Sequence, residues 1–454
     1  MKKLLLKHSA LILLTVAVAT SGLSCKLFQP GVPAELNKTV TLEYWGVWHD
    51  SDTLRPFIDE FKKQHTNVDI KYKKFRLNEY RQKLLEAWAE DRGPDIYQIP
   101  VGWLGEFQDR ITPMPKTVKL VTSEFKTTFG KTEVVRSVKT VTTPTTNDIK
   151  NQYVNLVQKD VIKNDKIYGL PLSFDTLALF YNRTILDNAK IPTPPTTWDE
   201  LTVAVKSITE QQNNNLVQSA IALGTTNNVP RVVDIVSTIM QQNGAVMTKD
   251  NQITFSQTIQ GASPALNAIN FYRSFAEPLT ELYTWNENMP DALEAFISGK
   301  TAMFFGYSYQ IPIIKGRSPK LNFGVAPMTQ ISNQQPVNTA NYWIETVSHK
   351  TKSADNAWGF LNFITSPEQA KKFAEKTQQP AALRTILAGQ KQSPILSVFA
   401  DQALTATRWY YGKNEPQMEQ YFVDTINQII KTAKPEDQQK ILNTGARRIS
   451  ETIQ

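Results

Sequence analysis

The chain has 454 residues, 41% apolar and 20% charged, which is too long for one ordinary core and suits a globular protein of two large lobes. No internal apolar run approaches the roughly 18 residues of a membrane span, and a lone cysteine rules out an internal disulfide. The formal charge of +8 includes three lysines of the leader, and the rest falls in scattered pairs such as Lys62-Lys63 and Arg447-Arg448. That pattern reads as solvated surface rather than a nucleic-acid tract, so no nucleic-acid partner is expected.

The first 24 residues read as a secretory signal: Lys2, Lys3 and Lys7, a short apolar run over 10–19, then small residues. Cys25 follows, in a position that resembles a bacterial lipoprotein cleavage site, where the cysteine becomes the lipidated first residue. Ser24 suits such a site, whereas Gly22 stands where the usual pattern has Leu. Residues 25–39 are then a tether.

Residues 40–45 read as the first strand. A helix is expected over 53–64, with Leu54, Phe57, Ile58 and Phe61 at helical spacing and Ser51 or Asp52 as its cap. A strand over 68–75, a helix carrying Tyr80, Leu84 and Trp88, and a strand over 95–99 follow. Strand alternating with helix is the grammar of a parallel α/β sheet, whose ligands lie at the carboxyl ends of the strands. Two loops leave those ends with aromatic residues, placing Trp48 and Trp103 as candidates, while Trp45 belongs to a strand and the core.

Residues 111–164 are rich in Thr, Val and Lys, and read as a β-ribbon excursion or a mobile surface insertion. Next comes Tyr168-Gly-Leu-Pro-Leu-Ser-Phe-Asp175, then the apolar run Leu177-Ala-Leu-Phe-Tyr181. The run suits a strand buried on both faces, and a carboxylate beside it must face a cleft or a partner. A Pro-rich linker over 191–195 leads into Thr197-Trp-Asp-Glu200, a capping box whose helix buries Trp198, Leu201, Val205 and Ile208. The polar run 211–215 ends that helix, and residues 221–223 are a short strand candidate. Helices are expected over 232–242, 264–275 and 290–298. After Gly299 a short strand runs into a loop with Tyr307 and Tyr309. The tail is helical over 418–431 and 438–453, and Tyr421 and Phe422 lie on the apolar stripe Met418, Tyr421, Phe422, Thr425, Ile429.

Several stretches together resemble the extracellular solute-binding proteins of bacterial ABC importers, in the group that contains the maltose-binding protein. They are Gly93-Pro-Asp-Ile96 with Trp103 after it, the run from Lys166 to Asn182, Thr197-Trp-Asp-Glu-Leu201, Gly299-Lys-Thr-Ala-Met303, Asn322-Phe-Gly-Val325 and Ser366-Pro-Glu-Gln-Ala370. The resemblance implies the two-lobed, type II periplasmic-binding-protein fold, each lobe a mixed, mainly parallel sheet flanked by helices. It implies a hinge crossed near 174–178, 325–328 and 379–382, with one lobe formed by 40–174 and 328–379 and the other by 178–325 and 382–454. On the family's pattern Asp175 takes the place of an acidic residue that accepts sugar hydroxyls, and Tyr309 that of an aromatic stacking on a sugar ring. Trp103 lies in a ligand-contacting loop, and Tyr421 and Phe422 sit where another stacking aromatic is found. Asn341 precedes Trp343 where relatives often have a glycine pair. Trp48 and Tyr307 complete the candidate ligand-binding set.

The function implied is that of a non-enzymatic lipoprotein on the outer face of the cytoplasmic membrane. It would capture a carbohydrate, an oligosaccharide foremost, and pass it to the transmembrane subunits of an ABC permease. A monomer is expected, with no cofactor and no metal. Four scattered histidines lack metal-ligand spacing, and neither a Gly-x-Ser-x-Gly elbow nor a phosphate loop occurs. Two other classes stay open: an adhesion or scaffold lipoprotein that kept the fold without transport, and a glycosidase built on a carboxylate pair.

Overall fold

A computed structural model of the chain describes residues 38–453 apart from 130, 214, 333 and 334; the leader and Cys25 lie outside the described residues. The first sheet has the order Trp343–Val347, Ile96–Pro100, Val40–Gly46, Val68–Lys74. Its first three strands in the chain run parallel, and Trp343–Val347 closes the edge antiparallel. Ile96–Pro100 is buried on both faces over its first four residues, which explains its unbroken apolar character. The helix Ser51–Gln64 buries Leu54, Phe57 and Phe61 on this sheet. It is capped by Asp50 instead of Ser51 or Asp52, but the Asp50 side chain turns away to Lys74 at 2.6 Å. Asp52 sits in the exposed first turn, paired with Arg55.

The second sheet has the order Glu210–Gln212, Asn215–Ile221, Thr301–Gly306, Ala178–Asn182, Phe323–Pro327. Only Asn215–Ile221 and Thr301–Gly306 run parallel within it. All five residues of Ala178–Asn182 are buried, as an unbroken apolar run at a sheet centre requires. The polar run after the Thr197-capped helix does not merely end that helix: it folds as the tight strand pair of Glu210–Gln212 with Asn215–Ile221. The capping box is in place, with Thr197 Oγ accepting from the Glu200 N–H and the Glu200 carboxylate accepting from Thr196 and Thr197. Trp198, Leu201, Val205 and Ile208 are buried beneath it.

Each sheet carries its own apolar cluster. The first contains Leu42 through Phe174 and resumes at Ala340; the second contains Leu177 through Met328 and resumes toward the C-terminus. Between them lies a sheet of three short strands in the order Ala406–Thr407, Asn338–Asn341, Asp175–Thr176. This is the hinge. Asp175–Thr176 lies between Phe174 of the first cluster and Leu177 of the second. Phe323–Pro327 is held by five ladder pairs to Ala178–Asn182 inside the second sheet, so the chain crosses only at Asn338–Asn341. Residues 380–383 are tied to the first lobe through Phe174, Val154 and Tyr153, and Leu383 and Leu387 pack in the first cluster. After that the helix Leu396–Gln402 straddles the lobes, with Leu396 and Phe399 in the second cluster and Ala400 in the first, before the strand Ala406–Thr407.

The Thr/Lys-rich segment is a ribbon. Thr117–Thr128 and Lys131–Thr142 pair antiparallel over their whole length, and the short helices Thr146–Gln152 and Asn155–Val161 follow. No helix of the described residues is long and apolar enough to cross a membrane.

Candidate functional site

A cavity of about 350 Å³ lies between the lobes, at the carboxyl ends of the strands of the first sheet. The first lobe contributes Trp48, in the loop after Val40–Gly46, and Trp103, in the turn after Ile96–Pro100. Trp343 comes from the start of the edge strand. These rings are one cluster: Trp343 lies 5.5 Å from Trp48, edge-on, and 6.1 Å from Trp103. Arg81 lies 6.0 Å from the Trp103 ring. The Trp48 indole N–H is buried without a hydrogen-bond partner among the described residues, a donor left free in the cavity wall.

The second lobe answers with Tyr307 and Tyr309, in the loop after Thr301–Gly306. Their rings stack at 6.1 Å and 16°. Tyr307 is fully buried and donates to Asp234 Oδ2 at 2.7 Å, so its hydroxyl is committed to the protein. Asp234 also takes the Arg231 guanidinium at 2.7 Å. Arg231 has a left-handed backbone, φ 61°, at the cap of the helix Val232–Gln242, which aims its long side chain along the wall toward Glu419 at 3.4 Å.

Asp175 stands on the first hinge strand, in register with Asn341 on the second. Both line the cavity. The carboxylate accepts the Ser308 N–H at 3.1 Å and the Thr176 N–H at 2.9 Å on one oxygen, and the Ser308 hydroxyl at 2.7 Å on the other. Burial pushes its pKa up to about 7, against the downward pull of these bonds. Asp175 thus fastens the hinge to the loop that carries Tyr309.

A charged floor completes the site. Arg408 follows the last hinge strand. It reaches Asp160 of the first lobe at 3.6 Å and Glu415 of the second at 3.2 Å. Tyr342 donates to Asp160 at 2.6 Å. Glu415 and Glu419 open the helix Glu415–Ile430 one turn apart; burial raises both carboxyls, Glu419 to about 7, with the nearby arginines opposing. Burial holds the His49 imidazole down to about 4, so it is neutral at the cleft margin.

Seven of the eight candidates therefore share one cleft: Trp48, Trp103, Asp175, Tyr307, Tyr309, Asn341 and Trp343. Tyr421 is not in its lining. It sits on the helix Glu415–Ile430 beneath the Arg448 guanidinium, 4.0 Å away, and packs against the second core; Phe422 is buried in that core beside Phe255 and Trp409. The residues that face the cleft from this helix are Glu415, Pro416, Met418 and Glu419, half a turn or more before the expected pair. Sequence reading missed them along with Arg231, Asp234 and Arg408. Carboxylates at 415 and 419 and the Arg408-Trp-Tyr-Tyr411 run were the available signals.

The lobes touch at the cleft rim. A Cβ on Gly102 would overlap the Glu415 carboxylate, and one on Gly105 would overlap the Gly412 carbonyl. The two lobes thus meet at the rim, with glycine permitting close approach.

Comparison with known proteins agrees with this architecture. The chain is 24% identical to the multiple sugar-binding protein of Streptococcus mutans over 296 residues, 63% of this chain and 67% of that one. It is 22% identical to the melibiose/raffinose/stachyose-binding protein of Bacillus subtilis over 376 residues, 80% of each chain. A solved ABC transporter solute-binding protein of Thermotoga lettingae, bound with α-D-tagatose, superposes with a TM-score of 0.69 at 18% identity. That match covers 91% of this chain and all of the other, and it carries the two-lobed fold. A family profile described as bacterial extracellular solute-binding protein matches residues 46–371, from the loop below Trp48 to beyond the second hinge strand. With that span, close to three quarters of its length, the chain belongs to the bacterial extracellular solute-binding proteins.

Proposed function

We propose that this protein captures a carbohydrate between its lobes and delivers it to the transmembrane subunits of an ABC importer. The observation that carries the reading is the pairing of aromatic faces from both lobes around a floor of carboxylates and arginines. A sugar ring has apolar C–H faces and a rim of hydroxyls, and this lining offers a partner for each. Trp48, Trp103, Trp343 and Tyr309 are assigned to the ring faces. Asn341 and the free edges of Asp175, Asp234, Glu415 and Glu419 are assigned to hydroxyls, and Tyr307 positions Asp234. A cavity of about 350 Å³ is at the small end of ligand sites, roughly 300–1,000 Å³, which favours a short ligand. Its role is binding without catalysis. Hinge closure is the working step, because contacts from both lobes stabilise the closed form.

The protein is exported by its leader, cut before Cys25, lipidated there and held as a monomer at the outer face of the cytoplasmic membrane. Stable anchoring takes about two acyl chains; mass analysis of the mature N-terminus will find them on Cys25, and an unmodified terminus elsewhere defeats this part.

Calorimetric titration against a panel of mono- and oligosaccharides tests the ligand reading. At least one sugar binds, and Asp175→Ala and Tyr309→Ala each abolish or strongly weaken it. Unchanged affinity in both variants refutes the site.

A further inference from the structure

We propose that the carbohydrate taken by this cleft carries a protonated amine, held at Glu415 and Glu419. This deepens, and rests on, the reading of the cleft as a carbohydrate site. The charges of the cleft do not balance. Asp175, Asp234, Glu415 and Glu419 line the cavity, with Arg81, Arg231 and Arg408 as its cations. Two further carboxylates stand behind the lining and already hold two of those arginines: Glu106 pairs with Arg81, and Asp160 lies 3.6 Å from Arg408. Three guanidiniums therefore serve six carboxylates. Arg231 is shared between Asp234 at 2.7 Å and Glu419 at 3.4 Å, and Arg408 between Asp160 and Glu415, the latter at 3.2 Å. Asp175 is met by uncharged donors from Ser308 and Thr176. Among the described residues no lysine is in the lining, and burial holds its histidine, His49, down to about 4 and neutral. The chain as a whole is basic, formally +8, so this acidic floor is not a sample of its average surface.

The excess gathers at one place. Glu415 and Glu419 stand one turn apart on the helix Glu415–Ile430, and both reach the cavity wall. Both feel Asp234 as a third carboxylate. Burial first, then Glu415 and Asp234, push Glu419 up to about 7, against the pull of Arg231. Buried carboxylates that outnumber their cations are costly unless a further positive group arrives. A neutral sugar brings hydroxyls only and leaves that deficit in place. An ammonium group brings the missing charge and three N–H donors, enough to bond both carboxylates with charge assistance.

The rest of the ligand is still a sugar. The buried Trp48 indole N–H, without a partner among the described residues, calls for an acceptor oxygen, which a hydroxyl supplies and an ammonium group does not. The rings of Trp48, Trp103, Trp343 and Tyr309 suit the C–H face of a sugar, and the same faces attract a cation beside them. A hydroxylated ring with one amine on its rim satisfies both halves of the lining. A simple alkylamine leaves the Trp48 N–H unmet, and a sugar acid adds one more carboxylate to those already in excess.

Calorimetric titration of the wild-type protein at neutral pH compares glucose, galactose, mannose and cellobiose with the same sugars bearing an amine in place of the hydroxyl at the second or the sixth carbon, and with the corresponding uronates. An amino sugar binds at least about tenfold more tightly than its hydroxyl parent, the difference between a charge-assisted and a neutral hydrogen bond. In E415Q/E419Q that ratio falls to within about twofold while the neutral parent keeps its affinity, because the amides keep the shape and lose the charge. E419Q alone gives an intermediate ratio. Amine and hydroxyl are compared on one protein, so a folding defect cannot imitate the change. Parents that bind as tightly as their amines, or a uronate that binds more tightly than either, overturn the proposal and leave the carbohydrate reading standing. An amine preference that survives in E415Q/E419Q overturns the assignment to these two residues. If no sugar of either kind binds, the carbohydrate reading fails and this inference falls with it.

Discussion

The rings of Trp48 and Tyr309 belong to different lobes and lie 4.7 Å apart at a tilt of 33°. Tyr309 is thus both a lining residue and part of the closure contact. Removing either ring loses a stacking surface worth about 0.5–1.5 kcal/mol beyond its area. Trp48→Ala should weaken ligand binding by about tenfold in calorimetry, and Tyr309→Ala, which also removes a closure contact, by more. The double variant should lose less than the product of the two, since residues in contact couple.

Gly105 meets the Gly412 carbonyl across the rim, backbone against backbone, so neither partner can swing aside. Gly105→Ala should hold the lobes apart. Small-angle scattering of the ligand-saturated variant is expected to give a larger radius of gyration than wild type. Affinity should fall although no lining residue has changed.

Glu345 is buried in the first core with Tyr44 donating at 2.7 Å and Gln98 at 2.8 Å, and burial raises its pKa from 4.5 to about 7. The unfolded chain loses this proton first as pH rises. Stability is therefore full below 4.5 and is lost progressively as pH climbs to 7, by an amount on the order of 3 kcal/mol for this group alone. Asp175 and Glu419, also raised to about 7, act in the same direction. Glu345→Gln keeps the shape without the charge. Urea denaturation should show it more stable than wild type at pH 8 and nearly equal at pH 5.

Arg408 joins Asp160 and Glu415 across the hinge, with little of its side chain exposed. Arg408→Met leaves Asp160 buried and uncompensated, a loss of about 3–5 kcal/mol. Adding Asp160→Asn should recover a substantial part of the melting temperature, and this recovery separates an unpaired charge from lost packing.

The helices and strands with long apolar patterns were legible in the sequence, down to the Thr197 capping box and the helix Val232–Gln242. Trp48, Trp103, Tyr307 and Tyr309 each follow a strand into a loop, a pattern visible in the sequence, whereas Trp343 opens a strand. The hinge was only partly legible. Strands of two residues, such as Asp175–Thr176 and Ala406–Thr407, carry no periodicity to detect. Tyr421 shows another limit: an apolar stripe reveals that a helix face is covered, but not whether core or cleft covers it. The floor joins Arg231 to Glu419 and Arg408 to Asp160, each more than a hundred positions apart, and no local pattern announces such pairs.

The three hinge strands lie side by side and are bonded to one another. Connections fixed at three adjacent points resist sliding and twisting, and leave bending about one line as the soft motion. Ligands of different size would then be registered as different settings of a single angle, and a membrane partner need read only that one coordinate to tell a loaded protein from an empty one.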